Sequence, residues 1–173
     1  MKPILWLSAV LLLAGCTAKY QIDNLSGTAG TTRLDRQKAV YVTVPQDGSY
    51  ESKPYLGSGQ IVAQAVAAAF ARSAAQVHVA ERQLTTEEVL ATARKLGAGY
   101  IVVPIIAHWE QRATEWSGRP SRMAIRVSIL DAATGNQISA TSVEGRSRIV
   151  SLTSTTPESL LRDPLAQYVS SLY

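Results

Sequence analysis

Five stretches of the chain carry the alternating or continuously apolar pattern that predicts β-strands. The most apolar stretch after the amino terminus covers residues 100–107, so we expect it to form a central strand of the sheet. Pro104 lies inside this stretch and has no N–H to donate, which predicts a bulge or a sheet edge close by. The five predicted strands cover residues 39–44, 76–81, 100–107, 123–130 and 137–149, and the third of them is expected to continue through residues 108–112 toward Trp116.

Apolar residues spaced three and four apart predict three helices, which begin near Ser58, Thr85 and Thr156. Ser58 is the expected N-cap of the first helix, and Thr85 with Glu88 predicts a capping box at the start of the second. Pro157 suits the first position of the last helix. The order of elements predicts an α/β (α+β) fold of the form β-α-β-α-β-β-β-α, with a mixed sheet of about five strands and helices packed on it.

The first 15 residues combine an early lysine with an apolar run, the pattern of a secretory signal peptide. The run is shorter than the ~20 residues of a membrane-spanning helix. A plain secretory signal would leave the only cysteine of the chain as an unpaired thiol. Leu13-Ala14-Gly15-Cys16 resembles the bacterial lipobox. This resemblance implies cleavage before Cys16, a diacylglyceryl thioether on its sulfur and an acylated amino group. Thr17 stands where an inner-membrane retention signal has Asp, which favours the outer membrane.

These features divide the chain into a signal peptide at residues 1–15, a lipidated cysteine with a flexible tether at 16–38, and a periplasmic domain at 39–173. The tether is predicted from a polar, Ser- and Gly-rich composition without sustained periodicity, although Leu25 and Leu34 could dock locally. Three acyl chains on Cys16 would anchor the protein stably at the periplasmic face of the outer membrane. The formal net charge of +4 is too small to indicate a nucleic-acid partner.

The residue pattern favours a protein that is not an enzyme. His78 and His108 lack further His, Cys or paired carboxylates at the spacing of metal ligands. Gly57-Ser58-Gly59 lacks the Lys-Ser or Lys-Thr pair of a P-loop, the third glycine of a dinucleotide fingerprint and the flanking residues of a nucleophile elbow. We therefore expect no metal and no cofactor other than the covalent lipid on Cys16.

Two groups of residues are candidates for contact with a partner or an anionic ligand. The tyrosines in the loop at residues 46–56 suit protein contact, and the alternative is that they pack over the edge of the sheet. The arginines of the last three strands suit carboxylate or phosphate, and the tryptophans beside them suit an interface. The alternative for the arginines is pairing with nearby acids on a solvated face. The candidates are Tyr50, Tyr55, Trp109, Arg112, Trp116, Arg122, Arg126, Arg146 and Arg148.

Several motifs together resemble a recurrent module of bacterial envelope proteins. They are Gly57-Ser58-Gly59 before an Ala-rich helix, Leu96-Gly97-Ala98-Gly99-Tyr100-Ile101-Val102, and Leu130-Asp131-Ala132-Ala133-Thr134-Gly135. The module is similar to the periplasmic domain of curli secretion channels, the lipoprotein activators of penicillin-binding proteins, the amino-terminal domain of the Tol-Pal propeller protein and the lipoprotein ring of Pel polysaccharide export. The nearest resemblance is to an uncharacterised lipoprotein family of pseudomonad-like bacteria.

This resemblance implies an outer-membrane lipoprotein whose periplasmic domain is a non-catalytic module for the binding or assembly of envelope machinery. The implied partners are the membrane, through the lipid anchor, and either an envelope protein or further copies of the chain. An alternative is an oligomeric ring in exopolysaccharide export, with the arginines facing an anionic glycan. A third hypothesis is an enzyme that modifies an envelope polymer, but no catalytic residue pattern in the sequence supports it.

Overall fold

The computed structural model describes residues 19–26, 33–111, 120–147 and 157–173. No helix within these ranges is long and apolar enough to cross a membrane. The described strands are β1 (Lys19–Ser26), β2 (Ala39–Val42), β3 (Ser49–Tyr50), β4 (Lys53–Pro54), β5 (Val77–Val79), β6 (Ala98–Glu110), β7 (Arg122–Asp131) and β8 (Gln137–Arg146). The α-helices are α1 (Ser58–Phe70), α2 (Thr86–Lys95) and α3 (Arg162–Ser171), and a 3₁₀ turn at Pro157–Leu160 precedes α3.

Six strands form one mixed sheet in the order β1-β8-β7-β6-β2-β5, while β3 and β4 form a separate small hairpin. β2 runs parallel to β5 and to β6, because α1 and α2 each return the chain to the starting end of the sheet. β6, β7, β8 and β1 pair antiparallel. The predicted fold class is confirmed, and β1 adds a sixth strand to the predicted five.

The strand β1 corrects the predicted tether over residues 16–38. β1 pairs antiparallel with β8, beginning with Lys19 opposite Arg146. Leu34 is only 6% exposed, and its N–H donates to the backbone carbonyl of Leu172 at 2.7 Å. The prediction of a flexible tether is therefore wrong for Lys19–Ser26, which belong to the sheet, whereas Leu34 docks on the domain as its apolar side chain allowed.

Helices pack on both faces of the sheet, but they cover the two faces unequally. α1 and α3 lie on one face, where Ile125, Val127 and Ile129 of β7 are fully buried. α2 lies over β6 on the opposite face, which we call the outer face, and there Ile101 and Ala93 belong to a second, smaller apolar cluster. The intervening side chains of β7 therefore face the side of α2.

Pro104 lies in β6 at the point where this strand continues past the end of β2. Val102 turns its backbone polar groups toward β2, because its carbonyl accepts from the N–H of Thr43 at 3.0 Å. The backbone groups of every second residue face the same side of a strand, so the nitrogen of Pro104 faces the open edge beyond β2. A β-bulge follows at Ala107. Both the edge position and the bulge expected near Pro104 are confirmed.

The starts of α1 and α2 are held in different ways. α2 has the predicted capping box, in which the Thr85 hydroxyl accepts from the Glu88 N–H and the Glu88 carboxylate accepts from the Thr85 N–H. The N-cap of α1 is Gly57, whose φ of 84° lies in the left-handed region that favours glycine. The Ser58 hydroxyl accepts instead from the N–H of Gly48 at 2.8 Å. The prediction of Ser58 as the N-cap is therefore wrong.

Candidate functional site

An open groove of about 640 Å³ lies on the outer face, between the second half of β6 and the start of α2. Residues 43–49, which follow β2, form part of its rim. β2 ends at Val42 whereas β6 continues to Glu110, so the groove opens where the sheet loses a strand. The carboxyl ends of parallel strands are a common position for ligand sites in α/β folds.

The floor and one wall of the groove are apolar. Ile101, Val103 and Ile105 of β6 line the floor, and Val89 and Leu90 of α2 line the wall. The Ile105 side chain is 52% exposed, because β6 has continued past the end of β2 at this point. An aliphatic floor with few polar groups suits an apolar segment of a partner better than a polar metabolite. The residue pattern alone does not locate this groove. The sequence signal that could have indicated it is the contrast between the predicted strand at residues 39–44, stopped by Pro45, and the much longer central strand.

A histidine–carboxylate pair lies at the end of β6, beside the groove. Nε2 of His108 is 3.3 Å from Oε2 of Glu110, and Glu110 is only 3% exposed. The Tyr50 ring packs edge-on against the His108 ring, with 5.5 Å between the centroids. Within the described ranges, no group of three or more His, Cys, Asp or Glu side chains is placed to hold a metal ion. These contacts fix the His108 ring and fit the structural role expected for it.

Asp47 ties the rim of the groove to the start of α1. Its carboxylate accepts from the N–H of Gly57 at 3.0 Å and from the N–H of Gly59 at 2.7 Å. A Cβ atom at Gly59 would collide with the carbonyl oxygen of Pro45, so this glycine permits a close approach of two backbone segments. The amino end of α1 is thus occupied by an internal carboxylate, and Gly57-Ser58-Gly59 offers no open place for a phosphate.

The start of α2, next to the groove, carries an exposed ion pair. The Arg82 guanidinium lies 2.8 Å from the Glu88 carboxylate, and this hydrogen bond lowers the pKa of Glu88 and raises the pKa of Arg82. An exposed pair of this kind adds little stability because water screens it. The ion pair instead supports the capping box of α2, since it keeps Glu88 in the charged form that accepts from the Thr85 N–H.

The two candidate tyrosines are both half-buried against the end of β6. Tyr50 contacts the His108 ring, and the Tyr55 hydroxyl lies 3.4 Å from both the backbone N and the backbone O of Gln111. The Lys53 amine lies 5.3 Å from the centroid of the Tyr55 ring. Both rings pack over the sheet in the way that the alternative interpretation expects, and their contact with a partner stays a prediction.

Trp109 is buried, which corrects its prediction as part of a partner surface. Its side chain is 2% exposed and belongs to the main core. The β-bulge at Ala107 inserts one residue and reverses the alternation of β6, so Trp109 pairs with the buried Met123 and His108 lies on the outer face. A regular alternation that starts from the buried Tyr100 would place Trp109 on the outer face, because the two residues are nine positions apart.

Arg122, Arg126 and Arg146 are exposed on the outer face, and we call these three residues the arginine face. Arg122 of β7 lies directly opposite Arg146 of β8, and Arg126 lies four residues further along β7 on the same face. None of the three forms an ion pair with any residue in the described part of the chain. The other candidates, Arg112, Trp116, Arg148 and Cys16, lie outside the described residues.

The described acids expected to pair with the arginine face have other positions or partners, and a further candidate, Glu115, lies outside the described residues. Glu110 contacts His108, and Glu144 lies opposite Ala124 rather than opposite an arginine of β7. Oδ1 of Asp131 accepts from the N–H of Thr134 at 2.9 Å in the turn after β7, and this bond lowers the pKa of Asp131. Cross-strand pairing of the arginines with acids is therefore absent from the described part of the sheet.

Comparison with solved structures finds the same fold in two crystal forms of one protein. The PelC dodecamer from Paraburkholderia phytofirmans is 17% identical over 89% of this chain and 97% of that chain, with a TM-score of 0.66. A variant of the PelC dodecamer from the same organism is 15% identical over 90% of this chain and 98% of that chain, with a TM-score of 0.65. Lipoprotein GNA1162 from Neisseria meningitidis is 11% identical over 78% of this chain and 92% of that chain, with a TM-score of only 0.44.

The comparisons with sequences give one positive result. None of the curated proteins matches the chain. A family described as a domain of unknown function, DUF4823, matches residues 32–172, which include every described element from β2 to α3. The chain therefore belongs to the DUF4823 family.

Proposed function

We propose that the chain is a lipoprotein of the bacterial outer membrane, held by acyl chains on Cys16, whose periplasmic domain binds or assembles envelope components without catalysis. The observation that carries this proposal is the fold, which is similar to PelC over 97% of that chain. The signal-peptide pattern ending at Cys16 supports the anchor, and Thr17 after it supports the outer membrane.

The chemistry beside the groove supports binding rather than catalysis. The floor of the groove is formed by aliphatic side chains such as Val103 and Ile105. A nucleophile activated by His108 would need a hydroxyl or thiol within hydrogen-bond reach of its ring. Among the described residues, the hydrogen-bond partner of the His108 ring is the Glu110 carboxylate, and no such hydroxyl is bonded to it. The groove therefore fits an apolar segment of an envelope partner.

Replacing Cys16 with serine is expected to abolish lipid attachment and to release the protein from the membrane fraction, because serine offers no sulfur for the thioether. The measurements are incorporation of labelled palmitate and fractionation of the cell envelope. Thr17→Asp is the matched control, since it keeps the cysteine and is expected to keep the lipid while moving the protein toward the inner membrane. A Cys16→Ser protein that still incorporates palmitate would contradict the anchor.

Self-association is the form of assembly that the comparison supports best. The similar PelC chains are dodecamers, and this chain covers nearly their whole length. A second candidate function is a ring that lines an exopolysaccharide export path. The arginine face favours this candidate, because exposed guanidinium groups bind carboxylates of an anionic glycan.

A soluble chain that begins at Thr17 is expected to form a closed ring of many copies, measured as the mass in solution by light scattering. If a ring forms, retention on an immobilised anionic glycan that weakens with added salt would support the export path. A mass equal to one copy at every concentration tested would contradict self-association of the domain and direct the search to a different envelope protein.

A further inference from the structure

The segment that joins Cys16 to the folded domain is very short. β1 begins at Lys19, so only Thr17 and Ala18 lie between the residue proposed to carry lipid and the sheet. A fully extended chain spans at most about 3.6 Å per residue, which keeps the Cα of Lys19 within about 11 Å of the Cα of Cys16. With Cys16 anchored as proposed above, the start of β1 lies at the membrane surface.

The same end of the sheet carries two members of the arginine face. Lys19 lies opposite Arg146, and Arg146 lies opposite Arg122, so the three residues form a row across neighbouring strands. Strands in a sheet are about 4.8 Å apart, which places the Cα of Arg122 about 10 Å from the Cα of Lys19. The turn after β7, which contains Ala133, lies at the other end of this strand, about 30 Å away.

Within the described part of the chain, no ion pair explains why Arg122 and Arg146 lie opposite each other. Two like charges directly opposite each other destabilise a sheet, and Arg122 and Arg146 have no acidic partner among the described residues. The acid opposite Arg122 in β6 is Glu110, which is buried and bonded to His108. A bound anion would remove the repulsion, and a guanidinium group binds phosphate through two parallel hydrogen bonds.

We propose that this end of the sheet contacts the membrane surface, with Arg122 and Arg146 bound to the headgroups of anionic phospholipids. The proposal rests on the anchor at Cys16 and adds to it an orientation and a second, electrostatic attachment. The acyl chains hold the protein on the membrane, and the two arginines hold the domain at a fixed angle to it.

The orientation is tested on the full chain, purified with its lipid and reconstituted in vesicles that contain phosphatidylglycerol. Lipidation consumes the thiol of Cys16, the only cysteine, so a cysteine introduced elsewhere takes up a fluorophore at one position. Gln21→Cys labels the anchored end of the sheet and Ala133→Cys labels the opposite end; both side chains are exposed. A nitroxide on the lipid headgroup is expected to quench the first label at least about threefold more than the second, because the two positions are separated by roughly 25 Å along the sheet.

The role of the arginines is tested by neutralising them in the same labelled protein. Each arginine beside an anionic bilayer strengthens attachment about fivefold, so Arg122→Gln with Arg146→Gln is expected to shift the equilibrium between upright and tilted orientations about 30-fold. The quenching of the Gln21→Cys label should then fall to the value measured in vesicles of phosphatidylcholine alone. Arg72→Gln with Arg94→Gln neutralises two exposed arginines that precede β5 and β6, at the end of the sheet opposite Arg122 and Arg146, and should leave the quenching unchanged.

Each outcome of these measurements decides a separate point. Equal quenching of the two labels on a protein whose intact mass includes the acyl chains overturns the orientation and leaves the anchor standing. An intact mass without acyl chains overturns the anchor and the orientation together. Unchanged quenching after neutralisation, with lost retention on an anionic glycan, overturns the contact with lipid and assigns the two arginines to a polymer.

Discussion

Replacing Trp109 with alanine is expected to lower the free energy of unfolding by about 3–5 kcal/mol, the usual cost of deleting a large aromatic side chain from a core. Trp109 is among the largest fully buried side chains, and it lies opposite the equally buried Met123. Gly48 packs directly against it, since a Cβ atom on Gly48 would lie 2.6 Å from the Cβ of Trp109. The measurement is urea unfolding followed by circular dichroism.

Arg122→Ala is the matched control for Trp109→Ala, because it truncates a long side chain one position from Met123 on the exposed face of the same strand. Its expected effect is within about 0.5 kcal/mol of zero, as for most surface substitutions. A loss below about 1 kcal/mol for Trp109→Ala would contradict the reversed alternation after Ala107 and return Trp109 to the surface.

Replacing Gly59 with alanine is expected to destabilise the protein by about 2–3 kcal/mol, although the same change in an ordinary helix stabilises it by about 1 kcal/mol. The added methyl group would meet the Pro45 carbonyl oxygen and would lie 3.1 Å from Oδ1 of Asp47. It would therefore push α1 away from the rim of the groove and weaken the bond between the Gly59 N–H and the Asp47 carboxylate. Unfolding in urea measures the sign of the change.

Gly135→Ala separates the collision at Gly59 from the general cost of replacing glycine. Gly135 has a φ of 74° but no atom within 4 Å of an added Cβ, so its replacement is expected to cost about 1–2 kcal/mol from backbone strain alone. A Gly59→Ala protein that is more stable than the native chain would contradict the close approach of Pro45 to α1.

Period-two patterns predict the strands of this fold where one strand face is buried. Ile125, Val127 and Ile129 alternate with exposed or half-buried residues, and the predicted strand at residues 123–130 matches β7 closely. The same pattern does not predict the edge strand β1, because most of its side chains, such as Gln21 and Asp23, are exposed and polar and apolar positions do not alternate between a buried and an exposed face. Its place in the sheet depends on backbone bonds to β8, which side-chain patterns do not record.

The candidate site shows the same division between side-chain pattern and backbone pairing. Alternation alone puts Arg126 on the face opposite Ile125 and Val127, and the structure agrees. The direct opposition of Arg122 and Arg146 depends instead on strand register, which a pattern of residue types leaves open. The groove depends on the unequal lengths of β2 and β6. The burial of Trp109 depends on the single residue, Ala107, that the β-bulge inserts into β6.

The pairing of β1 with β8 has a consequence for the order in which the sheet forms. The Thr141 hydroxyl donates to the carbonyl of Asp23, 118 positions earlier in the sequence, so β1 and its partner strand lie far apart along the chain. Contacts between such distant positions slow folding, because a long loop must close before they form. β1 is thus expected to be among the last strands to join the sheet, and its edge stays open to other chains until it pairs with β8.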